Sequence, residues 1–211
     1  MNTLLYIHGM GGGSDSRIPS ILADALASYD ICVIARTYDF DPEIASGQIA
    51  AWVDELKPSL IIGESLGSLH AIRIAGIPHL FVSPALNTPY YFEALAWLTL
   101  IPGVSRIFSR IYKPREGDRQ KLHFNFRVLR KYRAHHKAAL AFSAAAGSKD
   151  FFYAFFGTGD HYLRSGIVSI KTWKKYFGET FQTYQGTHYM EEEYIHSMLI
   201  PAILNVLNIK K

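Results

Sequence analysis

One ten-residue stretch limits what this chain can become. Ser59-Leu60-Ile61-Ile62-Gly63-Glu64-Ser65-Leu66-Gly67-Ser68 runs apolar to a glycine, turns over a serine and passes a second glycine into a helical pattern. Gly-x-Ser-x-Gly between a strand and a helix demands a tight bend. A Cβ at either glycine presses on the neighbouring strand or helix, and the serine side chain is driven out above the end of a sheet. Leu66 then opens the helix, where unpaired N–H groups and the helix dipole favour negative charge. An ordinary strand-to-helix turn whose serine is an N-cap has the same five letters. The rest of the chain decides between the two.

That stretch stands third in a series. The apolar run Thr3–Ile7 reads as a strand buried on both faces and Ile31–Ala35 as a second buried strand; Leu60–Gly63, His79–Ser83, Phe151–Phe156 and Thr180–Tyr184 read as the four strands that follow. Helical patterns follow them: one opening at Ser16-Arg17-Ile18-Pro19, one from Pro42 that ends before Pro58, Leu66–Ala75, Gly166–Phe177 and Met190–Leu207. The alternation predicts an α/β fold, a doubly wound and mostly parallel six-stranded sheet in a single domain over 1–211. Ligands of such sheets lie at the carboxyl ends of the strands, and both glycine-rich turns fall there.

The alternation breaks between the fourth and fifth strands. Residues 86–148 read as a mostly helical insertion, expected to form a lid over the serine. It is strongly basic. Val104 to Lys137 carries 11 Lys/Arg against 2 Asp/Glu, whereas the whole chain of 211 residues is only +4. The body is therefore mildly acidic under a cationic segment, which suits an anionic substrate, an anionic surface or simple solvation.

A serine nucleophile needs a base, and the base needs an orienting group. His188, in Gln185-Gly186-Thr187-His188-Tyr189, falls just past the sixth strand, where a base is required. His70, His123, His135, His136 and His196 lie in helices or in the insertion, and His79 begins a strand at the wrong end of the sheet. Asp160 follows the fifth strand in Gly157-Thr158-Gly159-Asp160, although an aspartate there also suits a turn cap. Two backbone N–H groups would meet an oxyanion, those of Leu66 and of Met10 in the His8-Gly9-Met10 loop. His8 reads as support for that loop. A rival reading takes Gly9-x-Gly11 after a strand as a dinucleotide fingerprint, with Arg36 facing the 2′-phosphate of NADP. The third glycine, however, falls at Ser14.

The order Ser65, Asp160, His188 is that of α/β-hydrolases. The chain resembles that superfamily, and within it the small bacterial esterases of the YqiA/YcfP type. The likeness lies in Leu4-Leu5-Tyr6-Ile7-His8-Gly9, Ile61 to Gly67, Ser83-Pro84-Ala85, Thr158-Gly159-Asp160 and Gly186-Thr187-His188. The resemblance implies a minimal six-stranded core that lacks the first two strands of the full-length sheet. It also implies Ser65 as nucleophile, Asp160 as acid and His188 as base. Ser68 departs from relatives that carry a second glycine after the elbow.

The expected activity is hydrolysis of a carboxylic ester or thioester through an acyl-enzyme, with no metal and no cofactor. Tyr90, Tyr91, Phe92, Leu95 and Trp97 are candidates for the acyl pocket. A non-catalytic module holding nucleic acid or an anionic surface through the insertion is the competing class, although no aromatic–basic RNA motif is present. No signal peptide opens the sequence, and Tyr90–Val104 is shorter than the ~20 apolar residues of a membrane span. With Cys32 as the lone cysteine, a cytoplasmic protein is expected.

Overall fold

The computed structural model describes residues 2–112, 116–145 and 151–209. Of the anticipated insertion, 113–115 and 146–148 lie outside that description. Six strands form one sheet: β1 (Asn2–Ile7), β2 (Ile31–Ala35), β3 (Leu60–Glu64), β4 (His79–Val82), β5 (Phe152–Gly157) and β6 (Phe181–Tyr184). Their order is β2-β1-β3-β4-β5-β6 and every pair is parallel, as the alternation predicted.

Strand periodicity sorts the apolar residues into two layers. Leu5, Ile7, Ile61, Phe81, Ala154 and Phe156 face one core. Leu4, Tyr6, Leu60, Ile62, Leu80, Val82 and Phe155 face the other. The second core is closed by α1 (Arg17–Leu26) and by the carboxyl-terminal helical segment. That segment consists of α9 (Glu192–Tyr194), a π-turn at Ile195–Leu199 and α10 (Ile200–Val206). The first core is covered by α2 (Pro42–Leu56), α3 (Ser68–Ala71), α4 (Thr88–Leu98), α6 (Phe126–Ala145) and α8 (Ile170–Phe177). Between α4 and α6 lies α5 (Val104–Ile111), and α7 (His161–Ser165) follows β5.

Much of the long α6 belongs to the body. It packs along α4 and against α2, α3 and α8. Val128, Leu129, Tyr132, His135, His136, Ala139 and Leu140 are buried at helical spacing. The Tyr132 hydroxyl donates to the Phe40 carbonyl, and Lys131 pairs with Asp41 and Glu43.

Two elements are shorter than the sequence pattern predicts. The helix after Ser65 begins as a 3₁₀ turn and ends at Ala71, where Arg73 and Ile74 bond three residues back and tighten the chain. The helix anticipated over Gly166–Phe177 starts late. Gly166, at φ +80, caps α7, and Ser169 opens α8 by accepting from the Thr172 N–H.

Candidate active site

Ser65 leaves β3 at φ +49, in the left-handed region. That costs a residue with a Cβ about 1–2 kcal/mol, so the surroundings must hold it there. The approach of β1 supplies the constraint: a Cβ on Gly67 would stand 2.4 Å from the carbonyl oxygens of both Ile7 and His8. Only glycine lets the turn seat this deeply. The Ser65 carbonyl is fixed by the Ala85 N–H at 3.1 Å. At Ser68, where a second glycine was the alternative, the buried hydroxyl donates to the Gly63 carbonyl at 3.2 Å.

The three side chains read from the sequence meet in one chain of hydrogen bonds. Ser65 Oγ lies 2.9 Å from His188 Nε2, and His188 Nδ1 lies 2.7 Å from Asp160 Oδ2. Asp160 and His188 are both buried. Asp160 is also the N-cap of α7: its other oxygen accepts from the Tyr162 N–H at 2.7 Å. The cap reading and the orienting reading of Asp160 therefore hold together, one on each oxygen. Ser65, by contrast, is the first residue inside its helical turn, whose N-cap position is Glu64, and its hydroxyl meets His188.

The loop bearing His188 is held at several points that the sequence did not disclose. The Arg17 guanidinium, at the start of α1, donates to the Tyr189 carbonyl and to the Met190 carbonyl, the latter at 2.6 Å. The Glu191 carboxylate accepts from the Thr187 N–H at 2.9 Å, and the Tyr184 hydroxyl donates to the Thr187 carbonyl at 3.0 Å. Met190 sits at φ +41. The ring of Tyr162 stands edge-on to His188 with centroids 4.7 Å apart.

The glycine loop after β1 passes beside the serine turn, so that a Cβ on Gly9 would lie 3.0 Å from Ser65 Cβ. Among the described loop and turn bonds, none uses the N–H of Met10 or of Leu66. His8 supports the loop: its Nδ1 faces the Gly9 carbonyl at 2.7 Å and its ring stacks on Tyr38 at 4.3 Å. Burial holds His8 neutral, with its pKa lowered to about 4.

The loop's outer brace is Gln120, a residue the sequence did not mark. Its Oε1 accepts from the Gly11 N–H, its Nε2 donates to the Tyr38 carbonyl, and its backbone N–H donates to Gly12. Arg119 bridges to Gly13, and Asp118 accepts from Ser14 and Thr37. The return of the insertion is thus stitched onto the loop. A lone glutamine in a basic loop carries no local signal of this.

The five acyl-pocket candidates do not gather around one point. Phe92 is buried against Phe40 and Tyr132, whereas Tyr90 packs on His136 and Trp97 on Phe126 at half-exposed positions. Leu95 is partly buried on the core. The Tyr91 hydroxyl reaches the Ser165 carbonyl on α7, five residues past Asp160. Arg36 is held in a bidentate pair with Glu55, and the strand order is not the 3-2-1-4-5-6 of dinucleotide-binding sheets. Among the described residues, no three His, Cys, Asp or Glu side chains converge as metal ligands.

The sequence matches no protein-family profile and no curated protein. Solved structures do match over nearly the whole chain. Monoacylglycerol lipase from Paleococcus ferrophilus is 18% identical and superposes with a TM-score of 0.65, over 99% of this chain and 95% of its own. Est1E from Butyrivibrio proteoclasticus, solved with ferulic acid bound, is 18% identical with a TM-score of 0.70, over 99% and 90%. The fold is that of the α/β-hydrolases. Tomato methylketone synthase I, complexed with β-ketoheptanoate, has the same fold at 10% identity and a TM-score of 0.65, over 98% of both chains. At these identities the likeness concerns architecture, so the reaction has to be argued from the site.

Proposed function

We propose that the protein is a serine hydrolase that cleaves a carboxylic ester or thioester through an acyl-enzyme. The observation that carries this reading is the unbroken Asp160–His188–Ser65 chain of hydrogen bonds, ending at a serine held at positive φ at the carboxyl end of the sheet. In the proposed reaction Ser65 Oγ bonds to the acyl carbon as His188 Nε2 takes the hydroxyl proton. Asp160 holds Nδ1–H, which keeps Nε2 free to accept and stabilises the imidazolium. The carbonyl oxygen becomes negative and is met by the Met10 and Leu66 N–H groups. The tetrahedral species then collapses. The bond to the alcohol or thiol breaks, His188 returns the proton to the leaving group, and the acyl group stays on Ser65. A water molecule repeats the sequence, with His188 as base, and releases the acid.

The reading draws support from the esterase and lipase names among the matching structures, and it keeps the resemblance to the small YqiA/YcfP-type esterases as part of the proposal. Of the α4 aromatics, Tyr91 is assigned to the substrate side because it bonds α7 beside Asp160. Fluorophosphonate labelling is the direct test. Wild type should label covalently and Ser65→Ala should not; a wild-type protein that stays unlabelled, or an alanine variant that labels equally, removes the mechanism. Panels of esters and acyl-thioesters then assign the acyl chain.

A further inference from the structure

Helix α5 was read in the sequence only as part of a basic segment. In the structure it keeps no fully buried side chain. Val104, Ser105 and Phe108 are its half-buried positions, and Phe108 packs on Phe124. Ile107 and Ile111, also one turn apart, are 55% and 66% exposed. Arg106 and Arg110 form a third row beside them, both exposed and, among the described residues, engaged in no ion pair. In the turn leading into the helix, Leu100 and Ile101 are likewise more than half exposed. Two isoleucines that keep more than half of their surface in solvent on a short helix contribute little to the core.

We propose that α5 is a docking element that lays its Ile107/Ile111 row into an anionic lipid surface, with Arg106 and Arg110 at the level of the headgroups. An apolar row flanked by arginines is the pattern of helices that lie in a bilayer interface. Charge selects the occupant. Arg106 and Arg110 have no ion-pair partner among the described residues, so a second copy of the same face meets like charge. A nucleic acid would leave the isoleucines in water. An anionic lipid surface satisfies both rows at once. Among the described residues no helix is long and apolar enough to cross a membrane, so the contact is peripheral.

Its position relative to Ser65 gives the contact a purpose. Tyr112, which follows the helix, stacks on Phe124 at 4.7 Å. Only six residues further on, Asp118 is bonded to Ser14 and Thr37 in the glycine loop, so the end of α5 lies within roughly 20 Å of that loop. Gly9 of that loop packs against Ser65, so a surface held at the end of α5 stands no further than about that distance from the loop bordering the serine. The binding itself does not depend on the hydrolase reading, because it is measured on a protein without the serine.

Ser65→Ala full-length protein is co-sedimented with vesicles of equal parts phosphatidylcholine and phosphatidylglycerol, and with vesicles of phosphatidylcholine alone. Binding to the mixed vesicles, weakened by salt and poor on phosphatidylcholine alone, is expected. Arg106→Gln/Arg110→Gln should lower the partition coefficient by roughly thirtyfold, and Ile107→Ser/Ile111→Ser should lower it on both compositions. All these side chains are exposed, so the melting temperature should stay within a degree or two, which separates lost docking from lost fold. Failure of the parent protein to sediment with either vesicle overturns the proposal. So does equal binding by the arginine variant, or a parent dimer that the serine variant turns into a monomer without any vesicle binding.

Discussion

Replacing Gln120 by leucine keeps the side chain's approximate volume and removes both of its polar contacts. The residue is 1% exposed; its contact with Tyr38 is buried, where water cannot stand in, and the one with Gly11 is part-buried. Gly11 N–H loses its acceptor at 3.1 Å and the Tyr38 carbonyl loses its donor at 3.2 Å. Each group stranded without a partner costs about 1–3 kcal/mol, so a loss near 3 kcal/mol is expected, or roughly 6–12 °C in melting temperature for a chain of this size. The effect on catalysis has a separate origin. Gly11 follows Met10, whose N–H is assigned to the oxyanion, so a loop freed at Gly11 misplaces that donor. Losing one such donor lowers kcat by about 10²–10³, and a displaced rather than deleted one should cost nearer the lower end. Steady-state hydrolysis of a short p-nitrophenyl ester, below the melting transition, reads kcat and KM separately. The fall should be in kcat, with KM nearly unchanged. Gln120→Glu should not rescue, because a carboxylate accepts from Gly11 but cannot donate to Tyr38. A Gln120→Leu protein that melts lower but keeps kcat within threefold would refute the link between this brace and the oxyanion site.

Other residues give independent tests. Arg17→Ala frees the loop bearing His188 and should reduce kcat about tenfold with little change in KM, since small misplacements of a catalytic group are expensive. Arg17→Lys should recover part of the loss through its own donors to Tyr189 and Met190, and an alanine variant with normal kcat removes the positioning role. The glycines should rank by the space behind them. Gly67→Ala drives a Cβ into two backbone carbonyls and should cost about 3 kcal/mol or more, while Gly63→Ala, with contacts at 3.0–3.1 Å, should cost less. Gly47→Ala, exposed inside α2 with nothing within 4 Å, should add about 0.5–1 kcal/mol; thermal melts that break this order contradict the packing.

Stability should also fall in acid. Burial lowers the pKa of His8 and of His135 to about 4, with Arg73 adding to the effect at His135, whereas an unfolded histidine titrates at 6.5. Between those values the unfolded chain binds more protons than the folded one. Stability is therefore lost as pH falls from 6.5 towards 4, by up to about 3 kcal/mol for each histidine. Urea midpoints that stay flat across that window would contradict it.

Local pattern was enough for the sheet and for the identity of the central trio. The central strands β1, β3, β4 and β5 are apolar over most of their four to six residues and buried to match, whereas the edge strands β2 and β6 are only partly covered. Gly63, Ser65 and Gly67 announce a bend because glycine spacing and backbone sterics act within five residues. Asp160 and His188 were found by asking which polar residues stand just past late strands, a question of chain order alone. What local pattern left open, the tertiary structure decided. Gln120 lies 109 residues from the Gly11 it braces, and Arg17 lies 172 residues from Tyr189. No nearby residue signals either contact, because a hydrogen bond between distant segments depends on where the fold brings their backbones. The same reason kept α6 and α5 indistinguishable in the basic segment. Both alternate cations with apolar residues, and only the neighbours supplied by α2, α3, α4 and α8 determine that Leu129 and Tyr132 are core while Ile107 and Ile111 face outward.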